Sequence, residues 1–207
     1  MEPFKKLTAT ACPLALANIN TDQILPARFL KWPRSAGLGQ VLFRDMRFDG
    51  DNEQSDFPLN RPVWRDAKIV VGDRNFGCGS SREAAVYALY DYGIRCVIAP
   101  SFGDIFAGNA VQNGLLAAVV TEEEAQSLLS ALDQSPERPM TVDLETQMIT
   151  FGDLQLSFSI DPVVRIRLLN GWDDITMTQS YREQIDAFRA KDIANRPWAM
   201  APASRSR

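Results

Sequence analysis

Two periodicities divide the chain. From residue 67 to 133, short unbroken apolar blocks alternate with segments whose apolar residues recur every three or four positions. The blocks 67–72, 95–99 and 115–120 have the length and composition of buried strands. Ala85, Ala88, Leu89 and Tyr92 share one face of a 3.6-residue helix, as do Ala125, Leu128, Leu129 and Leu132. Ser80-x-x-Glu83, Ser101-x-x-Asp104 and Thr121-x-x-Glu124 each predict a capping box, and Gly93 and Gly114 stand where C′ glycines would end the first two helices. Such alternation predicts parallel strands joined by helices.

Past the Pro-bounded loop 135–139 the period falls to two. Val142/Leu144, Ile149/Phe151 and Leu154/Leu156/Phe158/Ile160 alternate with polar residues, and Glu145-Thr146 and Gly152-Asp153 sit between the runs as hairpin turns. A β-meander is expected, packed on the same core in a mixed-sheet arrangement, so the fold class is α/β. Residues 173–191 predict one polar helix and 201–207 a frayed tail. Residues 7–17 are weakly apolar, broken by Thr8, Thr10 and Pro13, and read as a β-strand rather than a secretion signal despite the preceding Lys5-Lys6. No window approaches the roughly 20 apolar residues of a membrane span. Residues 33–62, rich in Gly, Pro, Asp and Asn, read as loop.

Composition narrows the chemistry. A chain of 207 residues with 45% apolar and 23% charged content is one large domain, or one domain with a tail. The net charge of −4 argues against nucleic-acid binding. With no histidine, the chain cannot form a Ser-His-Asp triad, a Cys-His dyad or an H-E-x-x-H zinc site. Cys12, Cys78 and Cys96 are odd in number and have no C-x-x-C spacing, which suggests neither a disulfide framework nor a self-contained metal site and fits a reducing cytoplasm. Against the acidic whole, Arg28, Lys31, Arg34, Arg44 and Arg47 cluster with only Asp45 among them. This is either a site for an acidic small molecule or a solvated loop face.

The most informative stretch is Asn75-Phe-Gly-Cys-Gly-Ser-Ser-Arg-Glu83, on the turn between a strand and a helix. Gly77 and Gly79 allow a tight bend and close approach to a ligand. Ser80, Ser81 and Arg82 stand at the helix start, where free N–H groups and the helix dipole favour an anion. A capping box at Ser80 needs no ligand, yet two glycines, two hydroxyls and an Arg exceed what capping requires. Gly77-x-Gly79 only weakly matches a dinucleotide fingerprint, because Arg82 occupies the third glycine position, and no Gly-Lys-Ser/Thr follows for a P-loop.

Gly77-Cys-Gly-Ser-Ser-Arg-Glu83, with Asn20-Thr-Asp-Gln-Ile24 upstream and Ile98-Ala-Pro-Ser-Phe-x-Asp-Ile-Phe106 downstream, resembles the aconitase swivelling-domain family, and within it the isopropylmalate-dehydratase small subunits. The resemblance runs from about residue 7 to 177. It implies a single swivelling β/β/α domain over 1–195, a tail over 196–207, and the hydro-lyase chemistry of leucine biosynthesis. In that chemistry a hydroxyl moves between adjacent carbons of a malate-type dicarboxylate by loss and re-addition of water. It further implies that Ser80 is the base, that Arg82 grips a substrate carboxylate, and that Asp22 partners a histidine of a cluster-bearing large subunit. No cofactor is expected in this chain, and the [4Fe–4S] cluster is expected on that partner. Residues 26–36 fall in the loop that reads the substrate's side group: Arg28, Lys31 and Arg34 as cations, Leu30 and Trp32 as an apolar wall, with Gly79 and Ser81 also facing substrate. Ala84 replaces a histidine usual in the family, and Asn20 stands where the family often has Asp. Citraconate, dimethylmalate or homoaconitate hydro-lyase subunits would share these motifs, and a non-catalytic phosphate- or nucleotide-binding module is the alternative of another class.

Overall fold

The computed structural model describes residues 1–80 and 82–199. Its strands are β1 (Lys6–Ala9), β2 (Ala11–Leu14), β3 (Phe48–Asp49), β4 (Asn52–Glu53), β5 (Ile69–Gly72), β6 (Cys96–Ala99), β7 (Leu116–Val119), β8 (Met140–Asp143), β9 (Met148–Phe151) and β10 (Leu154–Ser157). The helices are α1 (Thr21–Ile24), α2 (Arg44–Arg47), α3 (Glu83–Tyr92), α4 (Asp104–Gln112), α5 (Glu122–Gln134), α6 (Pro162–Asn170), α7 (Asp174–Gln179) and α8 (Arg182–Asn195). Contacts divide the chain into two compact units, Met1–Gly171 and the residues from Trp172 onward. The domain expected over 1–195 thus covers the first unit and most of the second.

The first unit is α/β, with its parallel and antiparallel parts in separate sheets. Strands β2-β5-β6-β7 form a wholly parallel sheet and β1-β8-β9-β10 a wholly antiparallel one; an antiparallel bridge, Val119↔Ser159, sits at the end of β7. The apolar run at 7–17 is therefore not one strand. It breaks at Thr10, and its halves pair with β8 and β5. Pro13 is tolerated because β2 is an edge strand, where a missing N–H breaks no inner ladder.

Rows across the parallel sheet explain why its strands lack polar alternation. Cys12, Val70 and Val97 are in register and belong to one core, with Leu89 of α3 and Phe106 of α4. Ala11, Ile69, Cys96 and Leu116 form the next row and belong to the other core, with Leu128 and Leu132 of α5 and with Val142 and Ile149 of the antiparallel sheet. Both faces are covered, so successive residues must all be apolar.

Segment 33–62 is not plain loop. It holds short 3₁₀ turns, α2 and the β3–β4 hairpin, and sinks Leu38, Leu42, Phe43 and Leu59 into the core beside α3. Gly39 permits this, since a Cβ there would meet Tyr92 N at 2.5 Å. Arg47 is buried too: its Nε donates to Asn60 Oδ1 at 2.9 Å, and burial holds its pKa below the usual arginine range.

Two helical features depart from expectation. Helix α6, capped by Asp161 and ended by Gly171, follows the meander where period-two reading predicts none. The single helix expected over 173–191 is instead α7 and α8. Ser180 Oγ donates to Met177 O at 2.6 Å and closes α7 there.

Candidate active site

Three segments cross at the C-terminal edge of the parallel sheet, and they are the three that carry the motifs. Gly77 N donates to Ile19 O at 2.7 Å and Thr21 N to Cys78 O at 3.0 Å, stitching the turn after β5 to residues 19–21. On the other side Phe76 N donates to Ser101 O at 3.0 Å and Gly103 N to Phe76 O at 2.9 Å. Asn75 N donates to Ser101 Oγ at 2.8 Å, and Asn75 Nδ2 to Asn18 Oδ1 at 2.8 Å. The glycines follow from this crowding. Gly77 has φ +72° and an added Cβ would overlap the Phe106 ring, while one on Gly103 would sit 2.6 Å from Gly77 O.

Helix α3 begins at Glu83 with Arg82 as N-cap in extended conformation, and no side chain caps it. The capping box expected at Ser80 is therefore not formed; Ser80 lies two residues upstream, its carbonyl accepting from Thr21 Oγ1 at 2.7 Å. Helix α4 likewise starts without a side-chain cap, at Gly103, so the Ser101 box is also absent. The Thr121–Glu124 box does form on α5. A further box, Asn20–Gln23 on α1, places Asp22 in that helix's first turn; the sequence reading did not anticipate it, although Asn-x-x-Gln is a legible signal.

Gly77, Gly79 and Ser80 line a cleft of about 230 Å³ with the α4 start, Gly103, Asp104, Ile105 and Phe106. One helix begins in its wall and a second begins three residues beyond Ser80, both with first-turn N–H groups that no side chain among the described residues satisfies. Together they bias the cleft towards negative charge. Asp104 offsets part of that bias. The α4 residues of this wall were not singled out as site residues, although they lie within the Ile98–Phe106 motif.

Arg82 and Asp22 form an ion pair through Nη1 and Oδ1, so two of the expected catalytic residues meet each other. Ser81 lies outside the described residues. The cations of the 26–36 segment are placed elsewhere. Arg28 grips Asp45 through Nη1 and Nη2 and holds that carboxyl below its usual range. Arg34 lies 4.2 Å above the Tyr87 ring and pairs with Asp91 at 3.3 Å. Asp91 is eight residues beyond the start of α3, about 12 Å along its axis. Arg44 meets Asp51 at 3.3 Å, so the local basic excess is largely neutralised within the chain. Leu30 and Trp32 are 43% and 42% exposed, large values for apolar side chains.

The cysteines do not fit an iron–sulfur cluster. Cys12 and Cys96 belong to cores on opposite faces of the parallel sheet, and burial pushes both thiols far above the ordinary range, keeping them protonated. Cys78 sits in the motif turn, its Sγ 3.5 Å from Asn18 O. A cluster needs converging thiolates. Among the described residues no group of three metal-ligating side chains occurs.

Residues 1–123 match the aconitase C-terminal domain, well over half of the chain, so the protein belongs to the aconitase swivelling-domain class. Relatives extend the match to nearly full length. The chain is 48% identical over 202 residues to the 3-isopropylmalate dehydratase small subunit of Rhodospirillum centenum, covering 97% of this chain and 100% of that protein. It is 49% identical over 200 residues to that of Dinoroseobacter shibae, covering 96% and 100%. Within the class, the chain belongs to the 3-isopropylmalate dehydratase small-subunit family. The fold also matches the crystal structure of a 3-isopropylmalate dehydratase from Methanocaldococcus jannaschii, with a TM-score of 0.64 at 22% identity, covering 89% of this chain and 99% of that one.

Proposed function

We propose that the chain supplies the proton-transferring, carboxylate-binding half of a hydro-lyase site that interconverts 2-isopropylmalate and 3-isopropylmalate through isopropylmaleate, in leucine biosynthesis in a reducing cytoplasm. The observation that carries the reading is the cleft that has Ser80 between two helix starts whose N-cap residues, Arg82 and Gly103, supply no side-chain cap, next to the Arg82–Asp22 pair. Elimination removes a proton from one carbon and hydroxide from its neighbour; re-addition in the opposite sense gives the isomer. Ser80 Oγ takes the carbon-bound proton and returns it. A serine alkoxide is costly in water, so its formation requires a site already biased towards negative charge, which is what the helix starts provide. Arg82 binds a substrate carboxylate, and its pairing with Asp22 keeps the guanidinium oriented until then. The cysteines of this chain do not suit a cluster, so the group that handles the hydroxyl belongs to a [4Fe–4S]-bearing large subunit in this proposal. Leu30, Lys31 and Trp32, with Arg28 and Arg34 held by Asp45 and Asp91, form the side-group loop.

Ser80→Ala, assayed in the complex with the large subunit, is the test. It is expected to lower kcat by about a hundredfold or more with KM little changed. Because Arg82, not Ser80, is the α3 N-cap, the substitution removes no cap, and stability should move by less than about 0.5 kcal/mol. Arg82→Lys should instead raise KM as well, since the planar fork is lost. A near-normal kcat for Ser80→Ala would overturn the proposal.

A further inference from the structure

A second pocket lies at the opposite edge of the parallel sheet from the motif turn. Lys68 immediately precedes β5 and Arg95 immediately precedes β6, so at least one four-residue strand, about 13 Å, separates them from the cleft. The pocket has a volume of about 420 Å³ and is lined by Lys5, Lys6, Lys68 and Arg95, with Glu2 as its one carboxylate and Tyr90 forming part of the wall. Four cations around one small cavity are unexpected in a chain of net charge −4.

Two of these cations have partners. Lys6 meets Asp143 at 3.3 Å, and Arg95 donates through Nη1 to Glu2 while stacking 4.7 Å above the Tyr90 ring. Arg95 Nε is buried and has no acceptor among the described residues, so only part of the guanidinium fork is used. Lys5 and Lys68 have no carboxylate within salt-bridge reach among the described residues. The pocket therefore carries an excess of about two positive charges over the carboxylates that meet it. The C-terminal end of α3, where Gly93 borders the pocket, opposes this with roughly half a negative charge, too little to cancel it. Glu2 is 69% exposed at its side chain, a carboxylate on the chain's second residue held against Arg95.

We propose that this pocket is a second anion site, for a small ligand bearing at least two carboxylate or phosphate groups, and that Glu2 occupies the Arg95 position when the ligand is absent. The volume suits a di- or tricarboxylate or a pyrophosphate. Displacing Glu2 opens the Arg95 fork to a bidentate contact while Lys5 and Lys68 take the ligand's second group.

The test is amide-resolved NMR titration of the full chain at low ionic strength, with citrate in one arm and inorganic pyrophosphate in the other. Saturable shifts at Lys68, Gly93 and Arg95 are expected. Binding in both arms supports the shared chemistry, and binding in one assigns the carboxylate or the phosphate source. Replacing Lys5 and Lys68 together by Gln should weaken binding about tenfold or more. Glu2→Gln should tighten it about threefold, because an internal competitor is removed. Raising the salt should weaken binding in both arms. Shifts confined to residues 79–82, or no saturation by about 20 mM ligand, would overturn the proposal, as would unchanged affinity in the double-lysine variant.

Discussion

At Gly77 a side chain has no room: φ is +72° and an added Cβ would overlap the Phe106 ring. Gly77→Ala combines left-handed strain of about 1 to 2 kcal/mol with overpacking of about 1 to 3 kcal/mol, so a loss of at least about 2 kcal/mol is expected in denaturant unfolding. The ring's share of the overpacking separates in a double-mutant cycle. In a Phe106→Ala background the same substitution should cost less, since the ring is gone and only the backbone term and the 2.7 Å approach to the Cβ of residue 106 remain; equal costs in both backgrounds would show that the clash relaxes elsewhere. The need for glycine here was legible in Gly77-x-Gly79. The reason was not, because Phe106 is twenty-nine positions away and its ring enters only through the fold. The same limit applies to Ser80, where Ser-x-x-Glu matches a capping box by spacing, but the turn is held by Ile19, Thr21 and Ser101, and the helix begins later, at Glu83.

Among the elements, those whose order rests on local periodicity were legible. The parallel strands, α5 with its capping box and the hairpins at 145–146 and 152–153 formed close to their expected places. Segment 33–62 was not legible, because its order comes from distant partners: Leu42 and Phe43 pack into a core completed by α3, and Arg47 is paid for by Asn60 rather than by any pattern in sequence. The β8–β9 turn allows an element-level test. Asp143 Oδ1 accepts from Glu145 N at 3.0 Å and Thr146 N at 3.1 Å, and Asp143 also meets Lys6 across the β1–β8 pair. The Thr146 N–H chiefly, and Lys6 after it, hold the carboxyl below its usual range. A depressed folded pKa means that the stabilisation is fully present above the unfolded value, near 4, and is lost as pH falls through the folded value. Asp143→Asn should therefore cost about 1 kcal/mol at neutral pH, and its stability deficit should shrink as pH falls below about 4. A deficit that is constant with pH would assign the effect to the turn's shape rather than to its charge.

Over the whole molecule, the proposed function has a large subunit complete the cleft. The motif segments build its floor at the C-terminal edge of the parallel sheet, where ligands of open α/β sheets bind. On the proposed function, the chain purified alone should not hydrate an unsaturated dicarboxylate, and activity should appear on adding a cluster-loaded large subunit; turnover by the chain alone would sink the half-site proposal. Specificity belongs to the same scale. On the proposed function, with Arg28 and Arg34 held by Asp45 and Asp91, Leu30 and Trp32, exposed at 43% and 42%, are the apolar residues of 26–36 that would meet a side group, beside Lys31. Phe29 packs edge-on against Trp32, with ring centroids 5.1 Å apart, which would orient such a wall. One methylene in such a pocket is worth about 1 to 3 kcal/mol, so neighbouring alkylmalates should overlap as substrates rather than be excluded. Grafting residues 26–36 from a homoaconitate-type subunit should shift the ratio of kcat/KM between an isopropyl and a carboxyalkyl substrate by about tenfold or more. If activity survives and the ratio does not move, the side group is read by the large subunit, and the exposed Leu30–Trp32 edge is contact surface rather than pocket wall.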